Sequence, residues 1–261
     1  GEVCDGVATL RDERFAHIRD VLRAKPGERL RAGVVDGPRY EAEVASIDAE
    51  ACALRLVREQ SPLPEPTVDL LLALPRPKCL RRLWPQLAAI GVRRLYIAQA
   101  EKVDRSYWGS HLLDPAEYRP LLLEGLAQAG DTRLPRIRLA RRLKPLVEDE
   151  LAPGYAAGFK WVAHPGGRRE PADGAAGPRL LAVGPEGGWS DYELRMFAAC
   201  GFETFGLGER TLRTDTACIA LIAVLVFAWA VLSGAATRRN VTGPMVFALV
   251  GFVLANPDWG V

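Results

Sequence analysis

Arg210 and Arg213 stand three positions apart in the stretch Leu207-Gly-Glu-Arg-Thr-Leu-Arg-Thr-Asp-Thr-Ala217, directly after the turn Gly206-Leu-Gly208. A second glycine turn, Gly184-Pro-Glu-Gly-Gly188, lies upstream and leads into Trp189 and Ser190. Glycine turns leave main-chain N–H and C=O groups open to a ligand. Guanidinium groups beside them attract anions or steady a negative charge that develops during a reaction. Such residues can line a pocket where a small cofactor meets an anionic polymer. Each also has a plainer reading. The pentapeptide alone is an ordinary turn, Glu186 within it can be a solvated carboxylate, and the arginines can form structural salt bridges with Asp215 or Glu209.

Other ligand-binding loops fit less well. Gly206-x-Gly208-x-x-Thr211 lacks the third glycine of a dinucleotide fingerprint, and no acidic residue follows at the required distance. No glycine loop ending in Gly-Lys-Ser/Thr occurs. The three histidines, His17, His111 and His164, are far apart, and His111 reads as a surface residue. Cys4, Cys52, Cys79, Cys200 and Cys218 are scattered without a Cys-x-x-Cys pair, which points to reduced thiols in the cytosol and to no metal site.

The elements around the two turns are legible from pattern. Residues 180–183 are a continuous apolar run, as in a strand buried on both faces. Ser190 with Glu193 three positions on is a capping box, Leu194, Phe197 and Ala198 give the helix an apolar face, and Gly201 suits its end. Residues 202–207 read as the next strand, so the whole is a parallel βαβ unit with both turns at strand carboxyl ends, where such sheets bind ligands. Upstream, residues 68–74 are a buried strand. Leu80, Leu83, Trp84, Leu87 and Ile90 mark a helix face ending at Gly91, and residues 95–98 form another strand. Pro85 inside that helix predicts a kink or an early turn.

The chain has 261 residues, 49% of them hydrophobic and 25% charged, enough to bury sizeable cores. Three prolines in residues 60–66 form a stiff linker that divides it. Before the linker, residues 29–35, 39–47 and 51–57 read as strands of a small barrel-like module. The net charge of +2 excludes nothing by itself, but its distribution is uneven. Ten basic residues face thirteen acidic ones through Pro66, whereas Arg133, Arg136, Arg138, Arg141, Arg142 and Lys144 crowd a stretch with no acid. Arg76, Lys78, Arg81 and Arg82 form a second basic cluster. Basic patches of this kind track phosphates, or serve only as a solvated face.

Residues 183–190 and 207–217 together resemble the signature of the 16S rRNA uridine-N3 methyltransferases, a family of the SPOUT superfamily. The segment His17-Ile-Arg-Asp-Val-Leu-Arg-Ala-Lys-Pro-Gly27 is similar to the family's N-terminal motif. Leu74-Pro-Arg-Pro-Lys78, Ile90-Gly-Val92, Val103-Asp-Arg-Ser-Tyr-Trp108 and His164-Pro165 follow in family order, so the resemblance covers residues 10–222.

The resemblance implies an α/β, SPOUT-type catalytic domain over residues 67–222, a trefoil-knotted parallel sheet. It also implies an RNA-facing, PUA-like β-barrel over residues 1–66. The chain would be a cytoplasmic homodimer acting on ribosomal RNA or the small ribosomal subunit. S-adenosylmethionine would be held by three loops: Ala163, His164 and Pro165; Val183, Gly184, Pro185, Glu186, Gly187 and Gly188; and Leu207, Gly208 and Leu212. Arg213, with Arg210 second, would stabilise a uracil anion deprotonated at N3, with Asp215 or solvent taking the proton. Arg76, Lys78, Arg133, Arg136 and Arg138 would bind RNA. Two departures stand out. The N-terminal strand reads as shortened before Gly1, and Asp131 replaces an arginine common in relatives, leaving Arg133 to supply that charge.

A different class of function, a non-catalytic RNA-binding relative, would keep the basic patch and fail to bind cofactor. The apolar tail, residues 223–261, falls outside the match and resembles the opening segment of cation/proton antiporters. Residues 217–236 carry no charge, about 30 Å of helix and enough to span a bilayer, and residues 241–255 are apolar again. The segment to about residue 225 reads as the family's last helix. The rest reads as an out-of-frame or fused end, an extra packed helix or a membrane anchor.

Overall fold

The computed structural model describes residues 3–65, 68–168 and 177–232. Its residues cluster into two units: Gly1–Glu65 with Leu126–Leu134, and Pro66–Gly125 with Pro135–Val261.

The first unit is a five-stranded antiparallel sheet. In chain order its elements are β1 (Val3–Cys4), β2 (Val7–Leu10), helix α1 (Glu13–Ala16), β3 (Arg29–Gly33), β4 (Arg39–Ile47) and β5 (Cys52–Gln60). The strands lie in the order β1-β2-β5-β4-β3. Alternation places Ala42, Val44, Cys52 and Leu54 inward, against Leu10, Phe15, Ile18 and Ala24. Asp12 caps α1 through the Arg14 N–H, and the chain then widens, with the Leu22 N–H bonding the His17 carbonyl five residues back. The segment 126–134 reaches this unit from far along the chain. The Thr132 hydroxyl donates to the Gly37 carbonyl, and the Leu134 N–H to Asp36.

The second unit is built on six parallel strands. They are β6 (Val68–Ala73), β7 (Val92–Ala98), β8 (Arg136–Ala140), β9 (Phe159–Arg168), β10 (Arg179–Val183) and β11 (Glu203–Phe205), in the order β11-β9-β10-β6-β7-β8. Parallel neighbours need crossovers. Helix α2 (Pro77–Ala89) joins β6 to β7, α3 (Pro115–Ala129) joins β7 to β8, and short α4 (Leu143–Pro145) and α5 (Ala152–Gly154) lead to β9. Helix α6 (Asp191–Ala199) joins β10 to β11, and α7 (Thr214–Leu232) closes the described chain. Every residue of β6 and β10 is buried, as the apolar runs predict for central strands.

Of the two placements expected for Pro85, the early turn is excluded: α2 starts at Pro77 and Pro85 lies deep in the helix. Its neighbourhood supplies the reason. The Pro85 carbonyl faces Gly125 of α3 so closely that a Cβ there would collide with it, so the two helices cross at a glycine. The lost α2 hydrogen bond is offset by packing, with Trp84 stacked on Tyr118 and its Nε1 donating to the Leu112 carbonyl at 3.2 Å.

Other elements differ in extent from the pattern. β3 ends at Gly33, β5 runs on to Gln60, β7 begins at Val92, β11 is shorter than residues 202–207, and α7 runs past residue 225 to Leu232. Among the described residues no helix is long and apolar enough to cross a membrane. Residues 233–261 lie outside the described residues, and with them most of the tail that resembles an antiporter.

Candidate active site at the carboxyl edge of the sheet

The strand order reverses between β6 and β10, because α2 carries the chain one way along the sheet and α6 the other. Loops after these neighbours diverge and leave a crevice at their carboxyl ends. The loop after β10 holds residues 184–188. Gly188 adopts φ +67°, a left-handed conformation that glycine takes without a Cβ penalty. Ser190 and Glu193 then form the full capping box, with the Glu193 N–H donating to Oγ at 3.3 Å and the Ser190 N–H to Oε2 at 2.8 Å.

Glu193 is buried, and its other oxygen does something the capping pattern does not announce. Oε1 accepts the Glu101 N–H at 2.8 Å, joining the loop after β10 to the loop after β7. Lys102 completes the tie, its Nζ donating to the carbonyls of Gly187 at 3.0 Å and Trp189 at 3.3 Å. Glu186 is tied as well: its Oε1 accepts the Arg76 N–H at 3.1 Å, though the residue stays exposed. Three strand-end loops are thereby tied together. Nothing in the spacing of Glu101 and Lys102 marked them beforehand.

The loop after β9 and the loop after β11 meet through glycine. β9 pairs with β11 at Val162↔Thr204 and next at Arg168↔Phe205, so residues 163–167 bulge from the ladder. Ala163, His164 and Pro165 therefore belong to the end of a strand that bulges, where the sequence suggested a free loop. Gly206 packs against this bulge, and a Cβ there would strike the His164 carbonyl. Beyond it Leu207 and Leu212 are exposed, at 41% and 39%.

Glu186 of the first glycine turn and Asp215 of α7 both come near the first turn of α2. The Cys79 thiol there is pushed up to about 12, first by burial and then by the negative charges of Asp215 and Glu186. Asp215 sits at the start of α7, and its Oδ2 binds Arg82 Nη2 at 2.5 Å. Its Oδ1 accepts the Thr216 N–H at 3.0 Å and lies 3.9 Å from Arg213 Nε. The Arg213 side chain is 71% exposed. Arg210 is exposed too.

The basic residues expected at RNA lie on several elements. Arg76 and Lys78 are exposed at the start of α2, beside the glycine turns. Arg136 opens β8 at the opposite, amino end of its strand, and Arg138 pairs with Glu150 at 3.0 Å. Arg133 belongs to the first unit, where it pairs with Asp131 at 3.1 Å and donates to the Pro64 carbonyl. Asp131 therefore engages the charge that Arg133 was expected to offer. Among the described residues no group of three His, Cys, Asp or Glu could hold a metal ion.

Two family models match the chain: an RNA methyltransferase domain over residues 61–226 and an RNA methyltransferase PUA domain over residues 10–57. Ribosomal RNA small subunit methyltransferase E of Treponema pallidum is 31% identical over 243 residues, spanning 86% of this chain and 87% of its own. The Mycobacterium tuberculosis protein of the same name is 28% identical over 230 residues, 84% of this chain and 86% of its own. Among solved structures, that of Ribosomal RNA small subunit methyltransferase E from Neisseria gonorrhoeae, bound to S-adenosyl methionine, matches with a TM-score of 0.71. It has 19% identity over 85% of this chain and 92% of that one. A Legionella pneumophila methyltransferase in complex with the same cofactor matches with a TM-score of 0.69 and 24% identity over 87% and 95%.

Proposed function

The chain belongs to the RNA methyltransferase family defined by these two domains, and from that premise we propose that it methylates N3 of a uridine in small-subunit ribosomal RNA, with S-adenosylmethionine as donor. Its fold is of the SPOUT type, an α/β domain on a parallel six-stranded sheet, preceded in sequence by a PUA domain. The observation that carries the reading is the meeting of strand-end segments around α2: Glu186 of the first glycine turn accepts the Arg76 N–H, Asp215 at the start of α7 binds Arg82, and Arg213 stands exposed beside Asp215.

The residues present fit the cofactor. Main-chain groups of 163–165, 183–188 and 207–212 supply donors and acceptors for a nucleoside and an amino acid. Gly206 lets the chain pack closely on the 163–167 bulge, and exposed Leu207 and Leu212 supply apolar surface for a base. When bound, S-adenosylmethionine supplies a methyl group on a sulfonium, open to in-line attack. The protein's part is alignment and electrostatics. Uridine N3 must shed its proton, and Arg213 steadies the resulting uracil anion, with Arg210 as a second cation. Asp215 serves poorly as the base, because Arg82 and the Thr216 N–H already engage its two oxygens. Solvent therefore takes the proton, and Asp215 orients Arg213.

The same reading assigns residues 1–66 to the RNA-facing domain, 67–222 to the catalytic domain and 223–261 to a tail outside both, in a cytosolic homodimer. It includes the trefoil knot, supported by the path of the chain: after edge strand β11 it returns to lay α7 on α2, β10 and β6.

Lys102 offers a test of the turn. Lys102→Met should weaken S-adenosylhomocysteine binding about fivefold to tenfold by calorimetry, the scale of one charged hydrogen bond discounted for exposure. The function itself is tested by mass spectrometry of ribosomal RNA nucleosides from cells with and without this gene. Loss of N3-methyluridine from the small subunit is expected, and an unchanged profile would refute the assignment.

A further inference from the structure

One feature of the carboxyl edge plays no part in holding the cofactor. Trp108 lies in the helical turn Arg105–Gly109 after β7, and its Nε1 donates to Gln99 Oε1 at 2.6 Å. Gln99 is itself locked, its Nε2 donating to the carbonyls of Ala100 and Val103, each at 2.8 Å. The indole is thus held in one orientation. Arg141, the first residue after β8, sits over its ring with Cζ 5.0 Å from the centroid.

Arg141 is exposed and has no carboxylate partner among the described residues. An exposed cation–π contact contributes little to folding, so stability alone is a weak reason to build it. The surroundings point elsewhere. Arg105 and Arg142 are exposed on the same two loops. Lys144 follows, its charge partly offset by Glu148 at 3.8 Å, and Glu148 first, with Tyr192 nearby, raises its pKa. Tyr192 is 52% exposed in the first turn of α6, two residues after the Ser190 cap. A basic strip with a planar platform therefore runs from β8 to the helix that follows the cofactor turn.

Guanidinium and indole planes stack on nucleobases, and bases in a duplex are already stacked on one another. Flanking ammonium and guanidinium groups fit the phosphates between unpaired bases. We propose that the Arg141–Trp108 pair is a stacking platform for an unpaired RNA base near the target nucleotide, with Arg105, Arg142 and Lys144 on the adjoining phosphates. This rests on the methyltransferase reading for the identity of the polymer. It assigns RNA contact to residues other than Arg133, Arg136 and Arg138.

Arg141→Lys keeps the charge and removes the plane, and its surface position leaves folding intact. In the full-length chain, fluorescence anisotropy would compare a labelled single-stranded oligonucleotide of uridine and cytidine with an RNA duplex of equal length. Arg141→Lys should weaken single-strand binding about tenfold, the scale of one lost base stack, and leave duplex binding and the salt dependence as in wild type. Trp108→Leu should show the same selective loss, with S-adenosylhomocysteine calorimetry reporting that the fold is kept. Wild-type affinity in Arg141→Lys, an equal loss on the duplex, or a wild-type chain that ignores the single strand would each overturn the platform. A wild-type chain that neither binds S-adenosylhomocysteine nor transfers methyl would refute the enzyme reading instead, while the anisotropy comparison would still decide the platform.

Discussion

Arg213→Ala should lower the rate of methyl transfer to small ribosomal subunits about 10²–10³-fold, the usual cost of removing one group that stabilises transition-state charge. S-adenosylhomocysteine affinity should stay within a few-fold. The split follows from the geometry. With its side chain 71% exposed and its nearest described carboxylate 3.9 Å away, Arg213 contributes little to the fold. Asp215 already has its short bond to Arg82, so removing Arg213 leaves no buried charge unpaired. The cofactor is expected to be gripped by main-chain groups, which the substitution does not touch. Single-turnover assays and calorimetry on the same preparation check both halves. Unchanged turnover would remove Arg213 from the mechanism, and lost cofactor binding would make its role structural.

Asp69→Ala should destabilise the second unit by about 3 kcal/mol, near the low end for breaking a buried ion pair. Asp69 is completely buried in β6, with Arg93 Nη2 at 2.6 Å and Nε at 3.0 Å. The Tyr155 hydroxyl also donates to it, and Tyr155 lies 3.4 Å from the Tyr96 hydroxyl. Burial first, and the Asp69 contact next, push the Tyr155 hydroxyl well above its ordinary range, so it remains a donor across physiological pH. Removing the carboxylate strands Arg93 and takes from the Tyr155 hydroxyl its acceptor. Arg93 keeps 38% of its side-chain surface and can recover some water, which argues for the lower figure. Folding free energies are typically about 5–15 kcal/mol, so the loss should be plain in urea unfolding. Because Asp69 stands at the amino end of β6, away from the glycine turns, cofactor affinity of the folded fraction should not change. A shift below about 0.5 kcal/mol, the range of ordinary surface changes, would show that the pair contributes nothing net.

Asp69 also shows where pattern reading stops. The apolar run 68–74 announced a buried strand, and β6 is one, but a carboxylate inside it is intelligible only with Arg93 and Tyr155 beside it. Glu193 divides along the same line. Its Oε2 bond to the Ser190 N–H spans three residues and could be read from spacing. Its Oε1 bond to the Glu101 N–H spans 92 and could not.

From the sequence alone came what near neighbours decide: the capping box at Ser190, the end of α6 at Gly201, the apolar central strands, and two glycine turns carrying the family's motif. Only the tertiary structure could bring Arg82 to Asp215, Lys102 to the Gly187 carbonyl, and Leu126–Leu134 to the first unit. It also showed that Arg136 opens β8 at the strand's amino end whereas Arg76 stands at the start of α2. The division is physical. Caps, turns and periodicity are set by backbone geometry over three or four residues, whereas contacts between loops depend on which strands pair, and strand order leaves no mark in local spacing.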